Sequence, residues 1–113
     1  MKVALCEVGP RDGLQNEPET LPVSTRIELI RRLAAAGLER IEAVSFVNPA
    51  RIPQMAGAED VVAGLGGLDG SSLSGLVLND RGYDRLRAAG LEEVHFSFGA
   101  TDGFNRANAN ASV

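Results

Sequence analysis

Short apolar runs alternate along the chain with segments in which apolar residues recur at helical spacing. The apolar runs predict four strands, at residues 3–8, 40–46, 73–78 and 93–98. The helical segments predict a helix that begins near Pro22 and two more at residues 59–65 and 81–89. In the first helix the residues at core spacing are Ile27, Ile30, Leu33 and Ala34. This order favours an α/β fold.

An internal repeat supports the same architecture. Residues 32–39 read Arg-Leu-Ala-Ala-Ala-Gly-Leu-Glu, and residues 85–92 read Arg-Leu-Arg-Ala-Ala-Gly-Leu-Glu. Each copy predicts the end of a helix, with Gly37 or Gly90 in the left-handed conformation, followed by a strand. Two such units indicate parallel strands, although coincidence in an alanine-rich sequence is the alternative.

Four parallel strands cannot close into a barrel, which takes roughly 250 residues in its eight-fold form. We therefore interpret the 113 residues as a piece of a larger protein, with Asn110 and Ser112 as caps of a further helix. A complete small open-sheet domain is the alternative.

Composition excludes several classes of function. The net charge of −4 leaves no basic stripe for nucleic acid. No apolar run approaches the roughly 20 residues that cross a bilayer, and residues 1–7 do not resemble a signal peptide. The single cysteine, Cys6, excludes an internal disulfide, and a cytoplasmic protein without membrane contact is expected.

Polar residues follow the predicted strands, where parallel α/β folds gather their functional groups. Arg11 and Asp12 come after the first strand, between a proline and a glycine. The Asp12 carboxylate suits Mg²⁺ or Mn²⁺, and the Arg11 guanidinium could hold a developing oxyanion. A surface ion pair is the alternative.

Glu42 is a carboxylate inside a strand that is otherwise apolar, where burial is costly without a partner. That partner is either a cation or metal-bound water at a barrel mouth or an interior arginine. His95 occupies the equivalent place on the fourth strand, where a packed and hydrogen-bonded histidine is expected rather than a ligand. Cys6 is expected to pack as a small apolar residue. Asparagines of the last loop could bind polar substrate atoms or cap turns: Asn105, Asn108 and Asn110.

The most specific motif is Glu-Val-Gly-Pro-Arg-Asp-Gly-Leu-Gln-Asn-Glu at residues 7–17. A second specific segment joins Ser-Phe-Val at residues 45–47 to Pro-Gln-Met at residues 53–55. Together they resemble the hydroxymethylglutaryl-CoA lyase family, and weaker matches extend over essentially the whole chain.

The resemblance implies a parallel (β/α)₈ TIM-type barrel, with residues 1–113 as the amino-terminal part of one catalytic domain and about its first half. It implies a lyase that uses Mg²⁺ or Mn²⁺ and takes an acyl-CoA thioester as its substrate. The implied retro-Claisen reaction cleaves 3-hydroxy-3-methylglutaryl-CoA, or a close 3-hydroxyacyl-CoA, to acetyl-CoA and acetoacetate. A homodimer is expected for the full-length protein.

The resemblance also implies roles for individual residues. Asp12 resembles the carboxylate ligand of the cation, Arg11 the arginine that stabilises the enolate, and Glu42 the acidic active-site residue near the metal. Roles in substrate binding are implied for Gln15, Ser45 and Asn108.

The sequence departs from the family pattern in ways that affect function. Pro18 stands where a lysine is common, and His95 where the pattern is usually apolar. The family's metal-binding histidine pair, metal-binding asparagine and mobile-loop cysteine lie later in the barrel and are absent here. We therefore predict that the isolated 113-residue polypeptide is inactive.

Two other functions remain open at this stage. A related synthase would run the reaction as a condensation, but such enzymes usually carry Thr-Leu before Arg-Asp-Gly and Glu-Gln after it. Gly9-Pro10 and Leu14-Gln15 favour the lyase. A non-catalytic half-barrel that binds a partner or pairs with itself is the other alternative.

Overall fold

The computed structural model describes residues 2–101 as one parallel sheet with helices. The strands pair in chain order and are β1 Cys6–Glu7, β2 Arg40–Ser45, β3 Ser72–Val77 and β4 Glu93–Phe96. The helices are α1 Val23–Ala35, α2 Ala58–Leu65 and α3 Asp80–Ala89. The predicted alternation of strands and helices is confirmed. Among the described residues, none of the helices is long and apolar enough to cross a membrane.

The hydrophobic core lies between the sheet and the helices. Ile30 of α1, Val61 of α2 and Leu86 of α3 belong to one buried cluster with Ile41 and Val44 of β2. The predicted stripe of α1 is confirmed, since Ile30 is fully buried and its other members pack partly buried against the cluster. The face of β2 that carries Ile41 and Val44 is thus the face that the helices cover.

The internal repeat corresponds to two similar helix ends. Gly37 follows α1 with φ of 98°, and Gly90 follows α3 with φ of 87°, both in the left-handed region that glycine adopts without a steric penalty. A strand begins within three residues of each glycine. The prediction made from the repeat is confirmed.

The first strand is shorter than predicted. It covers Cys6–Glu7 rather than residues 3–8, because β1 lies at the edge of the described sheet and pairs with β2 at two positions only.

The prediction for Cys6 was wrong: its side chain is exposed rather than packed. Cys6 is in register with Arg40, on the sheet face that none of the helices covers. Slight desolvation, together with the negative charge of Glu42, raises the pKa of the Cys6 thiol.

The fourth strand is also shorter than predicted, ending at Phe96 instead of residue 98. Val94 and Phe96 are exposed, as is Phe98 just beyond the strand. The rings of Phe96 and Phe98 lie with their centroids 5.9 Å apart. Within residues 2–101, β4 pairs only with β3, so these exposed apolar side chains belong to the edge strand of the described sheet.

Candidate active site

The loop after β1 forms a single tight turn of π-helical type at Gly9–Gly13. The carbonyl oxygen of Val8 accepts the backbone N–H groups of Arg11 at 3.1 Å and of Asp12 at 2.7 Å. The side chain of Glu7 supports the turn, since its Oε1 accepts the N–H of Gly9 at 3.0 Å. Short π-helical segments are rare and often mark functional sites. Here the turn directs the Arg11 side chain inward, 18% exposed, and leaves the adjacent Asp12 side chain 54% exposed.

Glu42 lies buried on β2, and both of its carboxylate oxygens have partners. The Nε–H of Arg11 donates to Oε1, and Nδ1 of His95 on β4 contacts Oε2. The residue as a whole is 4% exposed, so these contacts compensate a carboxylate that water hardly reaches. Of the partners foreseen for Glu42, the structure contains the arginine, and that arginine belongs to the candidate motif itself.

His95 extends this cluster along β4. Its Nε2 lies 3.5 Å from Oε1 of Glu93, and the same carboxylate oxygen lies 3.7 Å from Nη1 of Arg40. The prediction that His95 would be packed and hydrogen-bonded is confirmed in part: it has polar partners, but its side chain is still 32% exposed. The helix-free face of the sheet therefore carries a connected row of polar and charged side chains beside Leu76, although branched apolar side chains usually dominate a barrel interior.

Asp12 lies at the solvent side of the same cluster. Its Oδ1 is 3.5 Å from Nη1 of Arg11 and accepts from Nδ2 of Asn16 at 3.4 Å. Nδ2 of Asn16 also donates to the Asp12 carbonyl at 2.8 Å. Arg11 thus contacts Glu42 through Nε and Asp12 through Nη1, which ties the two carboxylates to one guanidinium.

The fit of these residues to a divalent cation is partial. Asp12 offers an accessible carboxylate oxygen, the donor that hard cations prefer. Within residues 2–101, no three acidic, histidine or cysteine side chains come together as a metal site. Asp12 is therefore the residue of the described chain that would hold the ion, and the described chain does not complete its coordination.

Ser45 reaches the site through an irregularity in β2. Glu42 is in register with Ser74 of β3, but Val44 is in register with Gly75, so one residue of β2 is left over between them. This bulge brings Glu42 and Ser45 to the same helix-free face, although a regular strand would place them on opposite faces. Ser45 is fully buried, and within the described residues no hydrogen-bond partner reaches its Oγ.

Gln15 lies against a small cavity of about 100 Å³ beside the carboxyl ends of β2 and β3. The other lining residues are Phe46, Val47, Asn48, Arg51, Ile52, Leu78 and Asn79. The Oε1 atom of Gln15 is buried, and within the described residues it has no hydrogen-bond partner, like Oγ of Ser45. Within the described chain, Oε1 of Gln15 and Oγ of Ser45 are therefore buried polar atoms whose hydrogen-bonding capacity is unused. Asn108, the third predicted substrate-binding residue, lies outside the described residues, as do Asn105 and Asn110.

Sequence reasoning missed an ion-pair clamp formed by Arg85 and Glu59, in which Arg85 also contacts Val47 and Phe46 of the cavity lining. Both Nε and Nη2 of Arg85 donate to the Glu59 carboxylate at 2.8 Å, and Nη1 donates to the Val47 carbonyl at 2.9 Å. The guanidinium carbon also lies 5.5 Å from the centre of the Phe46 ring. The Arg85 guanidinium lowers the pKa of Glu59, and the Glu59 carboxylate raises the pKa of Arg85. The clamp joins α2 and α3 to the end of β2.

A second missed residue is Arg26 of α1, which is 1% exposed. Its Nη1 donates to the Ala56 carbonyl at 2.6 Å, while its Nε and Nη2 find no partner within the described chain. Burial lowers the pKa of Arg26. The signal was present in the sequence, because Arg26 lies four residues before Ile30 and so falls on the apolar stripe.

Comparison with known proteins assigns the chain to a class. The HMGL-like family model matches residues 2–113, and the chain belongs to that family. The resemblance drawn from the motifs is confirmed.

The names of individual relatives describe them as lyases of CoA thioesters. The chain is 47% identical to the (R)-citramalyl-CoA lyase of Chloroflexus aurantiacus, over 94% of this chain and 37% of that protein. It is 46% identical to the hydroxymethylglutaryl-CoA lyase of Pseudomonas mevalonii, over 98% of this chain and 37% of that protein. It thus spans little more than a third of these relatives.

A solved structure gives the same result for the fold. The HMG-CoA lyase of Acinetobacter baumannii, determined in complex with coenzyme A and 3-methylmalate, superposes with a TM-score of 0.92 at 37% identity. The superposition covers 96% of this chain and 36% of that one. The predicted fold class is confirmed: the parallel α/β sheet matches about half of a (β/α)₈ barrel.

Proposed function

We propose that the protein is a divalent-metal-dependent lyase that cleaves 3-hydroxy-3-methylglutaryl-CoA to acetyl-CoA and acetoacetate. The observation that carries the proposal is the Arg11 guanidinium, which is held at the carboxyl ends of the strands by the buried Glu42 and lies beside the accessible Asp12. Membership of the HMGL-like family and the names of the relatives support the same reaction.

The proposed reaction is a retro-Claisen cleavage. A base removes the proton of the tertiary hydroxyl, and the O–H electron pair becomes the second bond of a ketone carbonyl. The bond from that carbon to the carbon beside the thioester breaks, and its electron pair moves into the thioester as an enolate. Protonation of the enolate gives acetyl-CoA, and the ketone leaves as acetoacetate.

Arg11 is the residue that we assign to the enolate. Its Nε is occupied by Glu42, while its Nη1 lies toward Asp12 at the solvent side of the cluster. A cation fixed in this way stabilises negative charge that appears only as the carbon–carbon bond breaks. Glu42 holds the guanidinium in place, and its buried negative charge keeps Arg11 from turning outward.

The remaining predicted residues bind the metal and the substrate in this proposal. Asp12 would hold Mg²⁺ or Mn²⁺, which when bound supplies Lewis acidity that lowers the pKa of the substrate hydroxyl. Gln15 and Ser45 carry buried oxygens that have no partner among residues 2–101, and polar substrate atoms would satisfy them. Asn108 stays a prediction.

The proposal is tested with the complete gene product, Mg²⁺ or Mn²⁺, and 3-hydroxy-3-methylglutaryl-CoA, with acetoacetate measured. Replacing Arg11 with glutamine should lower kcat by about 100- to 1,000-fold with little change in KM, because only the transition state loses a partner. Arg32→Gln is the matched control, since Arg32 forms an exposed pair with Glu28 on α1. Full activity of Arg11→Gln would overturn the assignment.

The similarity to an (R)-citramalyl-CoA lyase favours a second candidate substrate. Citramalyl-CoA assayed beside 3-hydroxy-3-methylglutaryl-CoA, with kcat/KM compared, decides between the two. Condensing activity without cleavage would instead favour the synthase. The absence of both cleavage and condensation would favour the non-catalytic half-barrel.

Three further expectations belong to the same proposal. The complete protein is a cytoplasmic homodimer, which light scattering after size-exclusion chromatography tests for assembly. The isolated 113-residue polypeptide is inactive, since its described residues offer one cation ligand. Acetoacetate release from that polypeptide would contradict the last of these expectations.

A further inference from the structure

His95 reaches Glu42 across an intervening strand. Glu42 of β2 is in register with Ser74 of β3, which is in register with Glu93 of β4, and His95 lies two residues further along β4. The small Ser74 side chain is buried between them and turned back onto the Ile41 carbonyl at 3.4 Å. A larger side chain at this position would fill the space that the His95 ring crosses.

The donor and the acceptor of the contact between His95 and Glu42 follow from the other partner of the carboxylate. A carboxylate whose other oxygen accepts from a guanidinium is the natural acceptor, so the contact fits the His95 tautomer that donates from Nδ1 to Oε2 of Glu42. The other oxygen of the same carboxylate accepts from Nε of Arg11. One partner comes from the loop after β1 and the other from β4, so the two hold the carboxylate from opposite sides.

A single partner would not fix the carboxylate. The last torsion of a glutamate side chain is broad, so a carboxylate held at one oxygen turns easily. With the second oxygen tied to His95, the carboxylate plane is set, and the direction in which Oε1 presents itself to Arg11 is set with it. Residues of this kind orient a catalytic group without touching substrate.

We propose that His95 is a positioning residue, which fixes Glu42 through Nδ1 and thereby fixes the Arg11 guanidinium at the mouth of the site. This proposal rests on the proposed function in one respect: it takes Arg11 as the residue that stabilises the enolate. The contact between His95 and Glu42 stands without that function and is tested separately.

Three substitutions of His95 separate positioning from simple packing, with kcat and KM measured on the complete gene product. The amide nitrogen of asparagine falls where Nδ1 of histidine lies, whereas that of glutamine falls near Nε2. His95→Asn should therefore keep kcat within about threefold of the wild type. His95→Gln and His95→Val should lower kcat by about 10- to 100-fold, the usual range for second-layer partners, with KM changed less than about threefold.

The opposite pattern would overturn the proposal. Wild-type kcat in His95→Val would do so, as would rescue by glutamine but not by asparagine. Equal losses in all three variants, accompanied by equal losses in melting temperature, would show that His95 only packs.

A spectroscopic measurement keeps the inference independent of the lyase activity. In the ¹⁵N-labelled complete gene product, the imidazole nitrogen resonances that disappear in His95→Asn belong to His95, the single histidine of residues 1–113. A protonated Nδ1 whose resonance shifts in Glu42→Gln supports the pairing, and a proton on Nε2 alone, unaffected by Glu42→Gln, refutes it. If the wild type cleaves neither thioester, the function fails while this measurement still decides the contact.

Discussion

Glu42 and Ser45 are three residues apart in β2 and nevertheless lie on the same face of the sheet. The register shift between Glu42 and Val44 is the cause, because it leaves one residue of β2 without a counterpart on β3. Without the bulge, Ser45 would lie on the helix-covered face with Ile41 and Ala43, and Val44 would lie on the face of Glu42. Bulges beside active sites commonly redirect a side chain in this way.

The buried hydroxyl of Ser45 predicts opposite effects on stability and on substrate binding. In Ser45→Ala the loss of a polar group without a partner should leave the free energy of unfolding unchanged or raise it by up to about 1 kcal/mol. If the hydroxyl binds substrate, KM for the thioester should rise several-fold in the same variant. Urea denaturation and steady-state kinetics measure the two quantities, and a clear loss of stability would contradict the first expectation.

Asp12→Asn tests the cation site directly. Since the Asp12 side chain is 54% exposed, the substitution should change the melting temperature by less than about 2 °C. Binding of Mn²⁺, followed by calorimetry or by electron paramagnetic resonance on the complete gene product, should weaken at least tenfold. Asp84→Asn on the exposed surface of α3 is the control and should bind Mn²⁺ as the wild type does.

The Arg85–Glu59 clamp predicts a stability that depends on acid pH. Because the pKa of Glu59 is lowered in the folded protein, the unfolded chain binds more protons at acid pH. The contribution of the clamp is therefore fully present above the ordinary glutamate pKa and is lost as pH falls through the lowered value. With the carboxylate 46% exposed, we expect about 0.5–1 kcal/mol.

Denaturation of the wild type and of Glu59→Gln across this pH range measures the effect. The two curves should converge at low pH and separate toward neutrality. Glu28→Gln, which removes the exposed pair with Arg32, should change stability by at most about 0.5 kcal/mol. Parallel curves for the wild type and Glu59→Gln would refute the role of the clamp.

Gly82 should not tolerate even alanine. A methyl group at this position would lie 2.8 Å from the Phe46 carbonyl oxygen, a backbone atom that cannot easily move. The gain in helix propensity, about 1 kcal/mol, opposes this clash, and we expect a net destabilisation of about 1–3 kcal/mol. Gly67→Ala is the control, because a methyl group there meets nothing within 4 Å. Thermal denaturation of both variants distinguishes a steric effect from a general effect of glycine replacement.

The order of the elements could be predicted because local signals agree with one another. The apolar stripe through Ile30 and the paired glycines Gly37 and Gly90 place helix faces and helix ends without knowledge of the tertiary structure. The edge strands were predicted too long, since apolar character near Val3 does not reveal how many neighbours a strand has. Strand length at an edge depends on pairing, which is not local.

The site could be predicted as a set of residues but not as a set of contacts. The motif at residues 7–17 pointed to Arg11 and Asp12, and the carboxylate within an apolar strand pointed to Glu42. Two contacts could not be predicted: the bridge from the Arg11 guanidinium to both carboxylates, and the reach of His95 across β3. They depend on strand register and on the small size of Ser74. The repeat even misleads at one position: Arg32 lies in solvent, whereas its counterpart Arg85 forms the clamp.

Within residues 2–101, β4 pairs with β3 alone, and this edge has a consequence for how the protein behaves in concentrated solution. The exposed and mutually tilted rings of Phe96 and Phe98 lie at this edge, and an exposed edge strand is a template for one more strand. An extended segment of the same polypeptide and one from a neighbouring molecule therefore compete for pairing with this edge. Dilution favours the intramolecular partner and crowding favours the intermolecular one, which makes protein concentration a variable of folding as well as of assembly.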